Sequence, residues 1–171
     1  MRVIVTDTMS ARVGEVIVGS AAWALSNEPS EVLVTRSLGS CIGLALYDPE
    51  AVIGGMAHCM LPLSRLTTPP PAMESALFTD TGCVLLLNEM VRQGARKNRM
   101  RAWLAGAAAL RGDNALFRIG ERNYAVARKV LMKNGIRLVG EACGGCLSRT
   151  MALYMDEGRA VLRTADGEQD I

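Results

Sequence analysis

The chain has 171 residues, half of them apolar and only 4% aromatic, which fits one domain whose core is built from Ala, Val, Leu, Ile and Met. A net charge of +2 is too small to argue for a nucleic-acid or membrane partner. No apolar run approaches the ~20 residues that span a bilayer, and the opening MRVIVTDTMS lacks the apolar stretch and cleavage site of an export signal.

Along the chain, β-branched and apolar content predicts strands over about Glu15 to Leu25, Glu31 to Thr35, Cys41 to Tyr47 and Val52 to Met60. The last two form a hairpin through Asp48-Pro49-Glu50, and Gly54-Gly55 in its second arm predicts a bulge or a close backbone approach. Leu61 to Glu74 contains three successive prolines and reads as loop. A helix follows from about Phe78 to Gln93, capped by Thr79 or Asp80 and stopped at Gly94, with Val84, Leu87, Met90 and Val91 as its buried stripe. The basic run Arg92 to Arg101 reads as the solvated end of that helix entering a turn. Arg101 to Leu110 accepts helix or strand on propensity alone. A second helix is predicted from about Glu121 to Asn134, with Ala125, Ala127, Val130 and Leu131 facing inward. Strands near Ile136 to Ala142, Arg149 to Asp156 and Ala160 to Thr164 complete the chain, the last two joined at Glu157-Gly158, with a polar frayed tail from Ala165. This order predicts an α+β fold in which mixed β-sheets are flanked by helices, a single domain over 1–171.

The five cysteines are an odd set, which without an export signal argues against a disulfide framework and for a reducing, cytoplasmic compartment. Any chemistry that needs an imidazole must use His58, the single histidine. Cys41 follows Leu38-Gly39-Ser40 at the entry to a strand, where Gly39 permits a tight turn that presents the thiol at an edge. Consecutive N–H groups of that turn, at Ser40 and Cys41, are placed to meet a developing oxyanion. The hairpin carries His58 back toward Cys41, and an adjacent imidazole is the usual means of activating a thiol at neutral pH. Periodicity alone favours a blander reading, in which the cysteine fills the core and the histidine is structural. Cys143-Gly-Gly-Cys146 also has C-x-x-C spacing, but strands flank it and zinc needs about four ligands, so coincident cysteines around a structural Gly-Gly is the preferred reading over a redox or zinc protein. Cys59 should point to the sheet face opposite His58, and Cys83 reads as helix core.

LGSC at 38 to 41, YDP at 47 to 49, GGMAH at 54 to 58 and MLP at 60 to 62 resemble the signature of the CheD family of chemoreceptor glutamine deamidases. LNEMVRQGARK at 87 to 97, IGERN at 119 to 123 and NGIRLVGE at 134 to 141 extend the resemblance over roughly Val16 to Thr164. It implies Cys41 as nucleophile, His58 as general base and Thr35 as the residue that orients the histidine, in a protein-glutamine deamidase with no metal and no cofactor. The implied substrates are the cytoplasmic domains of methyl-accepting chemotaxis receptors, with hydrolysis of receptor methyl esters as a possible side activity. A CheC-type phosphatase is the implied partner, and the alternative is that the chain mainly regulates that phosphatase as a binding module. The pattern is altered in two places, Leu104-Ala105-Gly106-Ala107 and the stretch from Glu141 to Arg149 around Cys143 and Cys146, which bear on how substrate and partner dock.

Overall fold

The structure, a computed structural model, describes residues 3–5, 14–66, 75–109, 118–164 and 167–171. Among the described residues, eleven strands form two sheets. Strands β1 (Val3–Val5), β3 (Trp23–Ser26), β6 (Ile53–Cys59), β5 (Ile42–Asp48), β7 (Arg101–Gly106) and β8 (Arg137–Cys143) lie in that order in the first. The second has the order β11 (Gly167–Asp170), β10 (Arg159–Thr164), β9 (Arg149–Tyr154), β4 (Val32–Leu38), β2 (Glu15–Ile17). Pairings are antiparallel except β7 with β8 and β2 with β4, so both sheets are mixed and the fold is α+β, as expected.

The alternation of side chains along the central strands divides the core into two layers. Ile42, Leu44 and Leu46 of β5, with Ala57 and Cys59 of β6, face the helices α1 (Thr79–Arg92) and α2 (Ile119–Lys133). Ala45, Tyr47, Met56 and Trp103 face Leu33, Met151, Leu153 and Leu162 of the second sheet. Cys59 therefore lies on the face opposite His58 and packs with Cys83 of α1, as the alternation predicts. The result is three layers: helices, first sheet, second sheet.

The paired glycines open both faces of β6. A Cβ on Gly55 would sit 2.8 Å from Leu86 of α1, and one on Gly54 would sit 2.4 Å from Met155 Sδ on the other side. The β5–β6 register runs unbroken from Ile42↔Cys59 to Asp48↔Ile53, so close approach, not a bulge, explains them. At the hairpin turn the fully buried Asp48 accepts the N–H groups of Glu50 and Ala51, the N–H of Arg96 and the guanidinium of Arg99. Burial opposes its charge, but these donors outweigh it and hold the carboxyl below the usual carboxylate range. Within the basic run, Arg99 is thus an ion-pair partner and not a solvated side chain.

Several boundaries differ from the sequence reading. The run from Glu15 to Leu25 is two strands in different sheets, because Ala21 takes a φ of 60° and the chain crosses between layers. Arg101 to Leu110 contributes β7, whose pairing with both β5 and β8 overrides alanine's helix propensity. On α1 the buried residues are Thr79, Gly82, Cys83, Leu86, Leu87 and Met90, whereas Val84 and Val91 are exposed. The cap is Phe78, without a side-chain bond; Asp80 instead accepts the backbone N–H and hydroxyl of Ser64. On α2, Ala125 is exposed and Asn123 is buried. The loop from Leu61 begins with a short 3-10 turn at Ser64–Leu66, and its proline run lies outside the described residues. The tail expected to fray pairs instead with β10 as β11, and Glu168 and Asp170 are held by Arg163 and Arg159.

Candidate active site

The β5–β6 register places His58 opposite Gly43, and Cys41 stands two residues before Gly43, ahead of the first strand residue. By alternation Cys41 and His58 share one face, on diagonal positions of the hairpin. Gly43 between them has no side chain to fill the intervening space, which is already tight against Leu38 at 2.8 Å from a Cβ position. Cys41 is half-buried and packs at the margin of the layer between the sheets.

Thr35 enters this face from β4 of the second sheet. It is completely buried, and its Oγ1 lies 2.8 Å from His58 Nδ1. Between Thr35 and Leu38 the β4–β9 register shifts, and Ser37 adopts a φ of 58°, so the strand is distorted just before Gly39. The same irregularity thus seats the hydroxyl and launches the cysteine turn.

His58 is only 1% exposed, and its Nε2 is buried with no hydrogen-bond partner among the described residues. Burial alone pulls the imidazole down to a pKa of about 4, so it is neutral at pH 7. In the tautomer whose Nδ1–H donates to Thr35 Oγ1, the Nε2 lone pair is open to accept a proton. A buried orphan acceptor is unfavourable in a resting fold and is the state a general base requires.

The cysteine turn is held by its carbonyls. The Gly39 N–H donates to Ser37 O at 2.9 Å, closing a tight turn. Gly39 O accepts the Ala108 N–H at 2.8 Å, and Cys41 O accepts the Ala107 N–H at 2.7 Å. Between them, Ser40 O accepts from the side chain of Asn123, at 2.9 Å. Gly106 has a φ of 104°, and a Cβ there would lie 2.4 Å from Cys41 O, so only glycine lets β7 end this close to the turn. Asn123 carries no signal that periodicity can detect, although it closes the IGERN run on which the family resemblance partly rests.

Both altered stretches border this turn. Gly144 N–H donates to Gly106 O, Ala109 N–H to Gly145 O, and Arg149 reaches Gly106 O. A cleft of about 370 Å³ lies alongside, lined in part by Ala107, Tyr124, Glu141, Cys143 and Arg149. Burial pushes the Cys143 thiol up to about 12, with Glu141 adding to the shift, while Cys146 is exposed. Cys143 ends β8 and Cys146 lies in the β8–β9 connection, and among the described residues no three His, Cys, Asp or Glu side chains gather as a metal set.

Comparison with known proteins agrees with the sequence resemblance. The family model described as "CheD chemotactic sensory transduction" matches residues 60–164. The chain is 42% identical over 157 residues to the "Probable chemoreceptor glutamine deamidase CheD" of Solibacter usitatus, covering 92% of this chain and 93% of that protein. It is 38% identical over 154 residues to the corresponding "CheD 1" protein of Syntrophus aciditrophicus, covering 90% and 96%. Among solved structures it is similar to the Bacillus licheniformis hypothetical protein YfiH, with a TM-score of 0.40 and 17% identity over 71% of this chain and 50% of that one. With relatives of this identity aligned over nine tenths of their length, and a family model matched across more than half of the chain, the protein belongs to the CheD family.

Proposed function

We propose that this chain deamidates glutamine side chains on the cytoplasmic domains of methyl-accepting chemotaxis receptors, with Cys41 as nucleophile, His58 as general base and Thr35 orienting the base. The observation that carries the reading is the buried Thr35–His58 hydrogen bond, which leaves Nε2 without a partner on the face that bears Cys41. The relatives' names supply the reaction class.

In the reaction, His58 Nε2 takes the Cys41 proton as Sγ bonds to the carboxamide carbon, and the carbonyl π pair becomes an oxyanion. Backbone N–H groups of the Gly39–Cys41 turn, Ser40 and Cys41 foremost, are the donors for that oxyanion; the Gly39 N–H serves the turn itself. The C–N bond breaks as the imidazolium returns its proton to nitrogen, releasing ammonia and leaving a thioester. Water then gives a proton to Nε2 and attacks the thioester carbon, and Cys41 leaves as the thiol after recovering that proton, with Glu as product. A glutamate methyl ester offers the same acyl carbon with methanol as leaving group, so the same thioester serves ester hydrolysis. Such a substrate puts the enzyme in the cytoplasm. Among the described residues no helix is long and apolar enough to cross a membrane. A CheC-type phosphatase is the further partner expected from the family, to be checked by titration calorimetry.

The test is mass spectrometry of receptor cytoplasmic fragments incubated with wild type and with Cys41→Ala. Wild type should produce the amide-to-acid mass gain at defined glutamines, and Cys41→Ala, folded by circular dichroism, should produce none. Equal modification by both would refute the assignment.

A further inference from the structure

Asn123 is a polar side chain in the middle of the helical layer, with no exposed surface. Its Nδ2 donates to Ser40 O at 2.9 Å and to Met60 O at 3.0 Å, and its Oδ1 accepts the Thr79 hydroxyl at 2.9 Å. Two carbonyls can only accept, so the NH₂ must face them and the amide has one possible orientation. Both amide N–H donors are thereby used. The two accepting carbonyls are not arbitrary. One belongs to the residue before Cys41, the other to the second residue after His58.

The consequence follows from peptide geometry. In a trans peptide the C=O and the next N–H point in opposite directions. With Ser40 O held toward α2, the Cys41 N–H must point away from the helices. Gly39 O and Cys41 O, anchored by Ala108 and Ala107, fix the peptides on either side. Met60 O, on the same amide, ties down the end of the strand that carries the base. One carboxamide therefore spans the gap between the two arms where the hairpin's own ladder has ended, at the Ile42↔Cys59 pair.

We infer that Asn123 is a positioning residue, which sets the separation of Cys41 and His58 and the aim of the Ser40–Cys41 peptide from the helical layer. Thr79 acts behind it by holding Oδ1. This rests on the reading of Cys41 and His58 as the reacting pair.

The test uses the full chain and two readouts for each variant: kcat and KM for ammonia release from receptor fragments, and the rate of Cys41 alkylation by iodoacetamide at pH 7, with Cys146 in the same molecules as internal standard. Asn123→Asp keeps the shape but replaces the donor pair with a carboxylate, and Asn123→Ala removes it. Both should lower kcat by about 100-fold, the scale of a misplacement near 1 Å, with KM little changed. Cys41 alkylation should fall to the rate measured in His58→Gln, while Cys146 is unaffected. Asn134→Ala, which removes a side-chain bond to Val130 O at the far end of α2, should lower thermal stability and leave both readouts at wild-type values. Folded Asn123 variants with wild-type kcat and Cys41 alkylation would overturn the inference, as would the same losses in Asn134→Ala. Where the Asn123 variants do not fold, Thr79→Val and Thr79→Ser decide: Val should reduce kcat and Cys41 alkylation and Ser should restore both, and no difference between Val and wild type overturns the role. A wild type that releases no ammonia while His58→Gln still slows Cys41 alkylation would remove the deamidase reading and leave the positioning role to be judged by alkylation.

Discussion

Burial keeps His58 neutral, with a pKa of about 4, and a neutral imidazole is the form that accepts the thiol proton. In the proposed mechanism, loss of the base by protonation is therefore displaced downward from the ordinary histidine range near 6.5. The bond from Thr35 determines whether that neutral ring presents its lone pair at Nε2. Thr35→Val leaves Nδ1–H unsatisfied in a dry interior and releases the ring's rotation, a loss of about 1–3 kcal/mol. We expect kcat for ammonia release to fall about 10- to 100-fold in Thr35→Val, to recover largely in Thr35→Ser, and to remain above that of Cys41→Ala. Steady-state assays of the three variants on one receptor fragment check the order. The closeness of Cys41 and His58 was legible because the two arms of one hairpin, with the LGSC and GGMAH motifs, carry them. Thr35 was reached only through resemblance, since nothing in a threonine six residues before a cysteine announces a bond across two sheets. Asn123 was missed because a polar residue on a helix reads as solvent-facing unless its partners are known.

The β5–β6 hairpin was read within a residue or two at each end, because two short apolar runs and the Asp48-Pro49-Glu50 turn between them are local signals. The Glu15 to Leu25 run failed as one strand for a different reason. Apolar residues continue on both sides of Gly19-Ser20, and the break is set by a backbone angle at Ala21 that an alanine does not advertise. The end of β7 is the element on which the cysteine turn depends most directly. Gly106→Ala would combine a positive φ with a contact 2.4 Å from Cys41 O, and neither can relax cheaply because the clash is with backbone. We predict a destabilisation of about 2–3 kcal/mol in urea unfolding and a reduced rate of Cys41 alkylation. Gly94→Ala is the comparison: it also has positive φ but meets nothing within 4 Å, so it should lose some stability and leave the alkylation rate unchanged.

At the scale of the whole molecule, the three-layer arrangement makes the buried imidazole a pH-dependent component of stability. The folded pKa of about 4 is below the unfolded value near 6.5, so beneath pH ~6.5 the unfolded chain binds a proton that the folded chain does not. Stability should fall as pH drops through that window, by up to about 1.4 kcal/mol per unit. His58 is the only histidine, so the difference in unfolding free energy between wild type and His58→Gln isolates the effect from the carboxylates. That difference should shift against wild type by about 2 kcal/mol between pH 7 and pH 5; a difference constant with pH would show that His58 titrates normally in the fold. By itself the sequence determined the α+β class, the β5–β6 hairpin, the opposite facing of Cys59 and the family, because each rests on local composition, side-chain alternation, turn chemistry or contiguous motifs. Only the tertiary structure decided that Thr35 reaches His58 from the second sheet, that Asn123 ties Ser40 to Met60 from a helix, and that the polar tail closes the second sheet as β11. The reason is physical: these contacts join residues whose separation along the chain is bridged by the stacking of layers, and layer stacking follows from the summed burial of two cores, which no single stretch of sequence encodes.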